Sequence, residues 1–367
     1  TIDLNNTNKN FVSINLKNEE GMKFMKKLLA DADIFVNNLR DKALNKMGLD
    51  YETLHKEFPT LIWAQMRGYG EYGPEKDSPG FDAVCWAARG GVANVFREDG
   101  ESPAIAPQAF GDYNVGHMLA TGIVSALFNR TRTGKGEKVV TNLYAGAIWG
   151  GNIGICATQF GAPYPKSRKH VPNPFNNTYR TYDDKWIYIC MPQYDKYYPM
   201  MMGLFGHEDQ IENPDTNNLT SLKASGKNVE VIDWLEKAFA KKTFDEWMAI
   251  FKENEVPAQK CFRYTDVVKD EEAYDNDALR MVEYEAYGKR ALPMTPVRFG
   301  SYGDPPVVLS KPIGYHTAEF MHDYGYSDEE IAKIAEDGGV VVYDGPEIED
   351  RIFVSKRQAA GEAPCNW

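Results

Sequence analysis

The feature that most limits the fold is an alternation within the first 66 residues. Strand-like runs at residues 11–16, 32–36 and 61–66 are separated by segments of helical spacing. In the first separator, Asn18-Glu19-Glu20 is an N-cap with acids in the first turn, and Met22, Met25, Leu28 and Leu29 then recur three and four residues apart. Two short helices, residues 41–47 and 51–57, fill the second, with Gly48 between them and Pro59 after them. A strand–helix–strand order is the mark of a parallel sheet with helices packed on it. Ligands of such sheets bind beyond the carboxyl ends of the strands, where Asn37-Asn38-Leu39-Arg40 follows the second run.

Asp112 stands immediately before an apolar helical run that carries Met118, Leu119, Ile123, Val124, Leu127 and Phe128. Apolar and small residues occupy nearly every side of that run, which predicts a buried helix. Arg130, Arg132, Lys135 and Lys138 follow, Gly134 and Gly136 end the helix, and residues 138–143 read as a strand. An Asp in this position is an N-cap signal. It is equally a candidate catalytic carboxylate, and the two readings are compatible. The positive end of the helix dipole favours the ionised form, and an ionised carboxylate is a nucleophile toward acyl groups.

Upstream, Gly68-Tyr69-Gly70-Glu71-Tyr72-Gly73 matches G-x-G-x-x-G after a strand. Pro74, Pro79 and Gly80 stand where the dinucleotide motif needs a helix, so the segment reads as a loop. Pro79-Gly80-Phe81-Asp82 leads into a helix at 83–90, with Asp82 as its cap.

Beyond residue 143 the reading is a helix over 144–160, a Pro-rich linker at 163–174, and a hairpin at 181–190 turning at Asp183-Asp184. A Met-rich helix at 199–205 is core filling. Val229, Ile232, Leu235 and Phe239 have helical spacing, and Thr243 to Glu246 is a capping box. Strands are predicted near 281–285 and 294–299, and a last helix at 331–336 behind Ser327. Residues 340–367 show no period and read as a peripheral tail.

A chain of 367 residues has room for two domains. Its net charge of −12 argues against nucleic acid as a partner, though not against an anionic small ligand held by local basic groups. No apolar run is long enough to span a bilayer. Five cysteines, Cys85, Cys156, Cys190, Cys261 and Cys365, are odd in number and contain no C-x-x-C pair. Neither a disulfide framework nor a metal site is indicated, and a reducing cytoplasm is the expected location.

Several runs, in order, resemble family III CoA-transferases, the formyl-CoA transferase and carnitine CoA-transferase superfamily. They are Ser13-Ile14-Asn15-Leu16-Lys17, Ala32-Asp33-Ile34-Phe35-Val36-Asn37-Asn38, Ala43-Leu44-Asn45-Lys46-Met47-Gly48-Leu49, Gly68-Tyr69-Gly70, Pro79-Gly80-Phe81-Asp82, Gly111-Asp112 and Thr133-Gly134-Lys135-Gly136. Each is unspecific alone; their order and spacing together are specific. Pro172-Asn173-Pro174-Phe175 and Cys190-Met191-Pro192 make the likeness strongest to the (R)-2-hydroxyacyl-CoA transferases.

The resemblance implies a large Rossmann-like parallel-sheet domain (1–175, rejoined by 291–339), a smaller α+β domain (176–290), a peripheral tail (340–367) and an interlocked homodimer. The family's N-terminal strand–helix–strand unit has no counterpart after Thr1, so that unit is expected to be missing. The family nucleophile falls on Asp112. The CoA site falls on Ile14, Asn15, Leu16, Lys17, Asn38, Leu39, Arg40, Lys46, Pro79, Gly80, Phe81 and Asp82. The implied substrates are an acyl-CoA or enoyl-CoA donor and a (R)-2-hydroxy acid, with CoA thioester as substrate and no tightly bound cofactor. A 2-hydroxyacyl-CoA dehydratase of the same pathway is the implied partner. α-Methylacyl-CoA racemases share the superfamily, but their histidine position is Phe81 here, which carries no proton; a chain that binds CoA without activity is the other alternative.

Overall fold

The computed structural model describes residues 2–301 and 303–362; Cys365 and the end of the expected tail lie outside them. The chain divides into two compact units. One comprises Thr1–Gln65, Leu119–Val140 and Arg263–Trp367, the other Met66–Met118 and Thr141–Phe262.

In the first unit the predicted alternation is present. Strand β1 (Ser13–Ile14) is followed by helix α1 (Glu19–Asp31), β2 (Ile34–Asn37), α2 (Asp41–Met47), α3 (Tyr51–Glu57) and β3 (Ile62–Arg67). Strands β2 and β3 are parallel, with Ile34 opposite Ile62 and Asn37 opposite Gln65. Strand β4 (Lys138–Asn142) adds on the far side of β3, reached through helix α4 (Phe110–Thr133). Leu29, Leu44, Leu49, Leu54, Leu61 and Trp63 form the core beneath the helices. The Trp63 indole N–H donates to the Leu49 carbonyl at 2.9 Å.

Asn18 caps α1 by accepting from the amides of Glu20 and Gly21. Gly21 is required there, because a Cβ would run into the carbonyl oxygens of Asn15 and Gly339. That approach holds β1 against the C-terminal return. The expected six-residue first strand shrinks to two residues, since its partner among the described residues is the equally short β11 (Val340–Val341), paired antiparallel.

The remaining strands correct two expectations. Strands β8 (Leu279–Tyr284) and β9 (Gly288–Pro293) form one hairpin, so the second strand ends before Met294 rather than beginning there. Residues from 340 onward are not simply peripheral. Besides β11, strand β12 (Ile352–Phe353) pairs with β10 (Val307–Val308), and Val340 packs with Phe24, Met321, Ile331 and Ile334. Short strands carry too few residues for a period to register.

The second unit holds an antiparallel sheet of β5 (Asn176–Arg180), β6 (Trp186–Cys190) and β7 (Ala258–Lys260). The β5–β6 hairpin turns where predicted, with Asp184 in the left-handed conformation. Helices α7 (Tyr194–Phe205), α8 (Asn228–Phe239) and α9 (Phe244–Glu253) bury an aromatic core on it. Tyr179 stacks on Phe239 at 4.8 Å, and Met201 and Met202 fill the space beside them. The segment 163–174 is no free linker: Arg168 pairs with Glu236 at 2.6 Å and Ser167 bonds Glu98, which anchors it within this unit.

This unit also holds a π-helix (Ala83–Arg89) against α5 (Leu143–Gly150) and the start of α4. The helix predicted over 144–160 breaks at Gly150-Gly151 into α5 and α6 (Asn152–Thr158). No helix among the described residues is long and apolar enough to cross a membrane.

Candidate active site

Helix α4 starts two residues before Asp112, at Phe110, so Asp112 lies inside the first turn and is not the cap. Ala109, the residue before the helix, turns the chain with φ of 58°. The helix is also less buried than its composition predicts. Val115, Leu119 and Ala126 are buried, whereas Val124 and Phe128 are 63 % and 67 % exposed. Period, not composition, decides which side is covered.

Asp112 itself is exposed. The charge that acts on it is Asp82, at the entrance to the π-helix. Asp82 does not cap that helix. It is buried, 8 % exposed, and lies against Gly111 at the start of α4; burial pushes its carboxyl above the ordinary range, opposed only in part by the nearby amides of Gly111 and Phe110. Its Oδ1 is buried without a hydrogen-bond partner. Gly111 has room for no side chain, since a Cβ would overlap that oxygen and the Trp86 indole. The Trp86 ring meets Phe110 at 5.5 Å.

The electrostatic outcome differs from the sequence reading. The dipole was expected to favour ionised Asp112. Instead its carboxyl is pushed above the ordinary range, first by desolvation and then by the charge of Asp82.

The loop at 68–79 is pinned from within: Arg67 donates to the carbonyls of Gly70 and Lys76 at 2.9 and 3.3 Å. Arg89 sits over the rings of Tyr69 and Tyr144 and 3.5 Å from Glu75. His117 places Nδ1 2.8 Å from the Tyr113 carbonyl, on its own helix.

In the first unit a groove of about 850 Å³ runs between α1 and α2. Leu16, Lys17 and Lys46 line it, as the sequence reading expects of a CoA site, together with Met22, Lys26 and Met47. The last three follow from helical spacing, each on the groove face of its amphipathic helix, but were not predicted. Lys26 pairs with Glu57, and Lys23, also on the groove, with Glu19 and Glu20. Lys17 and Lys46 have no ion-pair partner among the described residues.

The other expected CoA residues fall elsewhere. Ile14 is in the β1–β11 ladder, and the Asn15 amide donates to the Gly338 carbonyl at 2.9 Å. Asn38, Leu39 and Arg40 form the exposed loop between β2 and α2, where the Leu39 carbonyl accepts from Gln65 at 2.7 Å. Pro79 and Phe81 are exposed, Gly80 is half-buried against Cys85 and Gly68, and Asp82 is committed to α4. Among the described residues no three His, Cys, Asp or Glu side chains are placed to hold a metal.

A mixed α/β fold with a parallel sheet agrees with what comparison with known proteins shows. Residues 1–317 match the model of CoA-transferase family III, and the chain belongs to that family, whose enzymes use CoA thioesters as substrates. It is 39 % identical over 345 residues to the cinnamoyl-CoA:phenyllactate CoA-transferase of Clostridium sporogenes, covering 93 % of this chain and 84 % of that one. It is 38 % identical over 341 residues to the (R)-2-hydroxy-4-methylpentanoate CoA-transferase of Clostridioides difficile, covering 93 % and 85 %. The structure superposes on Rv3272 of Mycobacterium tuberculosis with a TM-score of 0.71 at 26 % identity, over 86 % of this chain and 84 % of that one.

Proposed function

We propose that the chain moves CoA from an acyl-CoA or enoyl-CoA donor to a (R)-2-hydroxy carboxylic acid, with Asp112 as the nucleophile. The observation that carries this is the exposed Asp112 carboxylate on the first turn of α4, in a chain similar to two transferases named for 2-hydroxy acids.

An Asp112 oxygen attacks the thioester carbonyl, the C–S bond breaks, and CoA leaves as thiolate from a mixed anhydride. The thiolate then attacks the Asp112 carbonyl and expels the donor acid as its carboxylate, leaving an aspartyl thioester. The acceptor carboxylate displaces the thiolate in turn, giving a second anhydride. Attack of the thiolate on the acceptor carbonyl forms the product thioester and regenerates Asp112. No net proton is gained or lost, and one hard exchange becomes several easier ones.

Lys17 and Lys46 on the groove would meet the phosphates of CoA as point charges. Ile14, Asn15, Leu16, Asn38, Leu39, Arg40, Pro79, Gly80 and Phe81 complete the proposed CoA set by resemblance. The racemase alternative needs a second proton carrier beside Asp112, and Phe81 cannot supply one. The active form is proposed to be a homodimer, and a 2-hydroxyacyl-CoA dehydratase is the proposed consumer of the product.

The test is mass spectrometry of the protein mixed with a donor acyl-CoA and a panel of 2-hydroxy acids. CoA exchange together with an acyl or CoA adduct on Asp112 is expected. Asp112→Ala should lower turnover by about 10³-fold or more while the protein still folds. Substantial transfer by Asp112→Ala, or loss of α-methyl stereochemistry without exchange, would overturn the reading.

A further inference from the structure

We propose that Asp82 is a positioning residue for Asp112: its buried carboxyl group is wedged against Gly111 at the first turn of α4 and, as a neighbouring carboxylate, strengthens Asp112 as a nucleophile. The inference rests on the assignment of Asp112 above and gives Asp82 a role other than contact with CoA.

Three observations carry it. Asp82 is 8 % exposed and its Oδ1 has no partner. A buried carboxylate oxygen left unpaired is costly, and such groups persist where they serve a site. Second, the space that a side chain at 111 would fill is taken by that same oxygen and by Trp86. The carboxylate is therefore wedged against the residue preceding Asp112. Third, Asp82 makes no capping bond to its own helix and lies instead against the start of α4. An oxygen sealed from solvent is poorly placed to meet a CoA ligand, but well placed to fix the direction of the turn.

The charge matters as well as the grip. A second carboxylate nearby disfavours the ionised form of Asp112 and so raises its basicity. The other titratable groups on the surrounding elements are Cys85 and Arg89 on the π-helix, Tyr113 and His117 on α4, Tyr144 on α5 and Tyr69 in the 68–79 loop. Arg89 is engaged by Glu75, Tyr69 and Tyr144, and Cys85 by Tyr69.

The experiment is the pH profile of CoA transfer by the full chain and by Asp82→Asn, with the Asp112 adduct followed by mass spectrometry in both. Asparagine keeps the shape and an acceptor oxygen against Gly111 and removes the charge. Turnover at neutral pH is expected to fall about tenfold, with KM for acyl-CoA changed less than about twofold, and the acid limb should move down by about half a pH unit. An unmoved acid limb, or a raised KM at unchanged turnover, would overturn the proposal. If Asp82→Asn does not fold, Asp82→Ser, also an uncharged acceptor, is held to the same outcomes. Absence of an Asp112 adduct in the unsubstituted chain would instead refute the nucleophile. An adduct there with an unmoved limb in Asp82→Asn would refute only the role of Asp82.

Discussion

A carboxylate in the first turn of a helix ordinarily gains from the dipole, yet Asp112 is pushed the other way by desolvation and by Asp82. A raised folded-state pKa means that the native state binds the proton more tightly than the unfolded chain. Stability therefore falls as pH rises from the ordinary 3.8 through the folded value, and the penalty stays complete above it. Asp112→Asn removes this penalty. Calorimetry should show a melting temperature above that of the unsubstituted chain at neutral pH, with the difference vanishing as pH falls below about 4. Gly111→Ala drives a methyl into Asp82 and Trp86. Urea unfolding should show a loss of about 1–3 kcal/mol, the usual cost of overpacking, together with loss of transfer. The identity of Asp112 was legible in the sequence through its place before an apolar run. Its position inside the turn was not, because neither Phe110 nor Gly111 carries a capping side chain and Ala109 adopts a conformation rare for alanine.

At the scale of elements, amphipathic helices α1 and α2 make the groove between them. Leu16, Lys17 and Lys46 were reached by resemblance; Met22, Lys26 and Met47 join them because residues four apart share a helix face. Lys46→Ala should raise KM for acyl-CoA by about tenfold or more with turnover nearly unchanged, since it removes a charged contact made equally in ground and transition states. Steady-state kinetics at several salt concentrations checks this, and the effect should shrink as salt rises. The capping signals at Asn18, Thr243 and Ser327 all appear as caps, because each needs only its own next three residues. The break at Gly150-Gly151 was invisible, since small and apolar residues continue across it.

At the scale of the whole chain, the C-terminal residues close the first unit. Ser355, buried, donates to Asp304 Oδ2 at 2.7 Å, and Asp304 is 2 % exposed and also bound by Arg298. Ser355→Ala should cost about 1–3 kcal/mol in urea unfolding, because a buried charged oxygen loses its donor. A chain ending at Gly339 loses the β1–β11 and β10–β12 pairs together and should unfold at clearly lower urea. Local order was decided by the sequence by itself: the parallel alternation, the hairpin at Asp184, the caps and the lone carboxylate at a helix start all depend on neighbours a few residues away. What only the tertiary structure decided is contact across long separations. Residue 13 pairs with 341, Asp82 turns from its own helix to the start of α4, and that contact alters the acidity of Asp112. The physical reason is that periodicity and capping act within a turn or two, whereas charge and packing act through space between segments that no local pattern links.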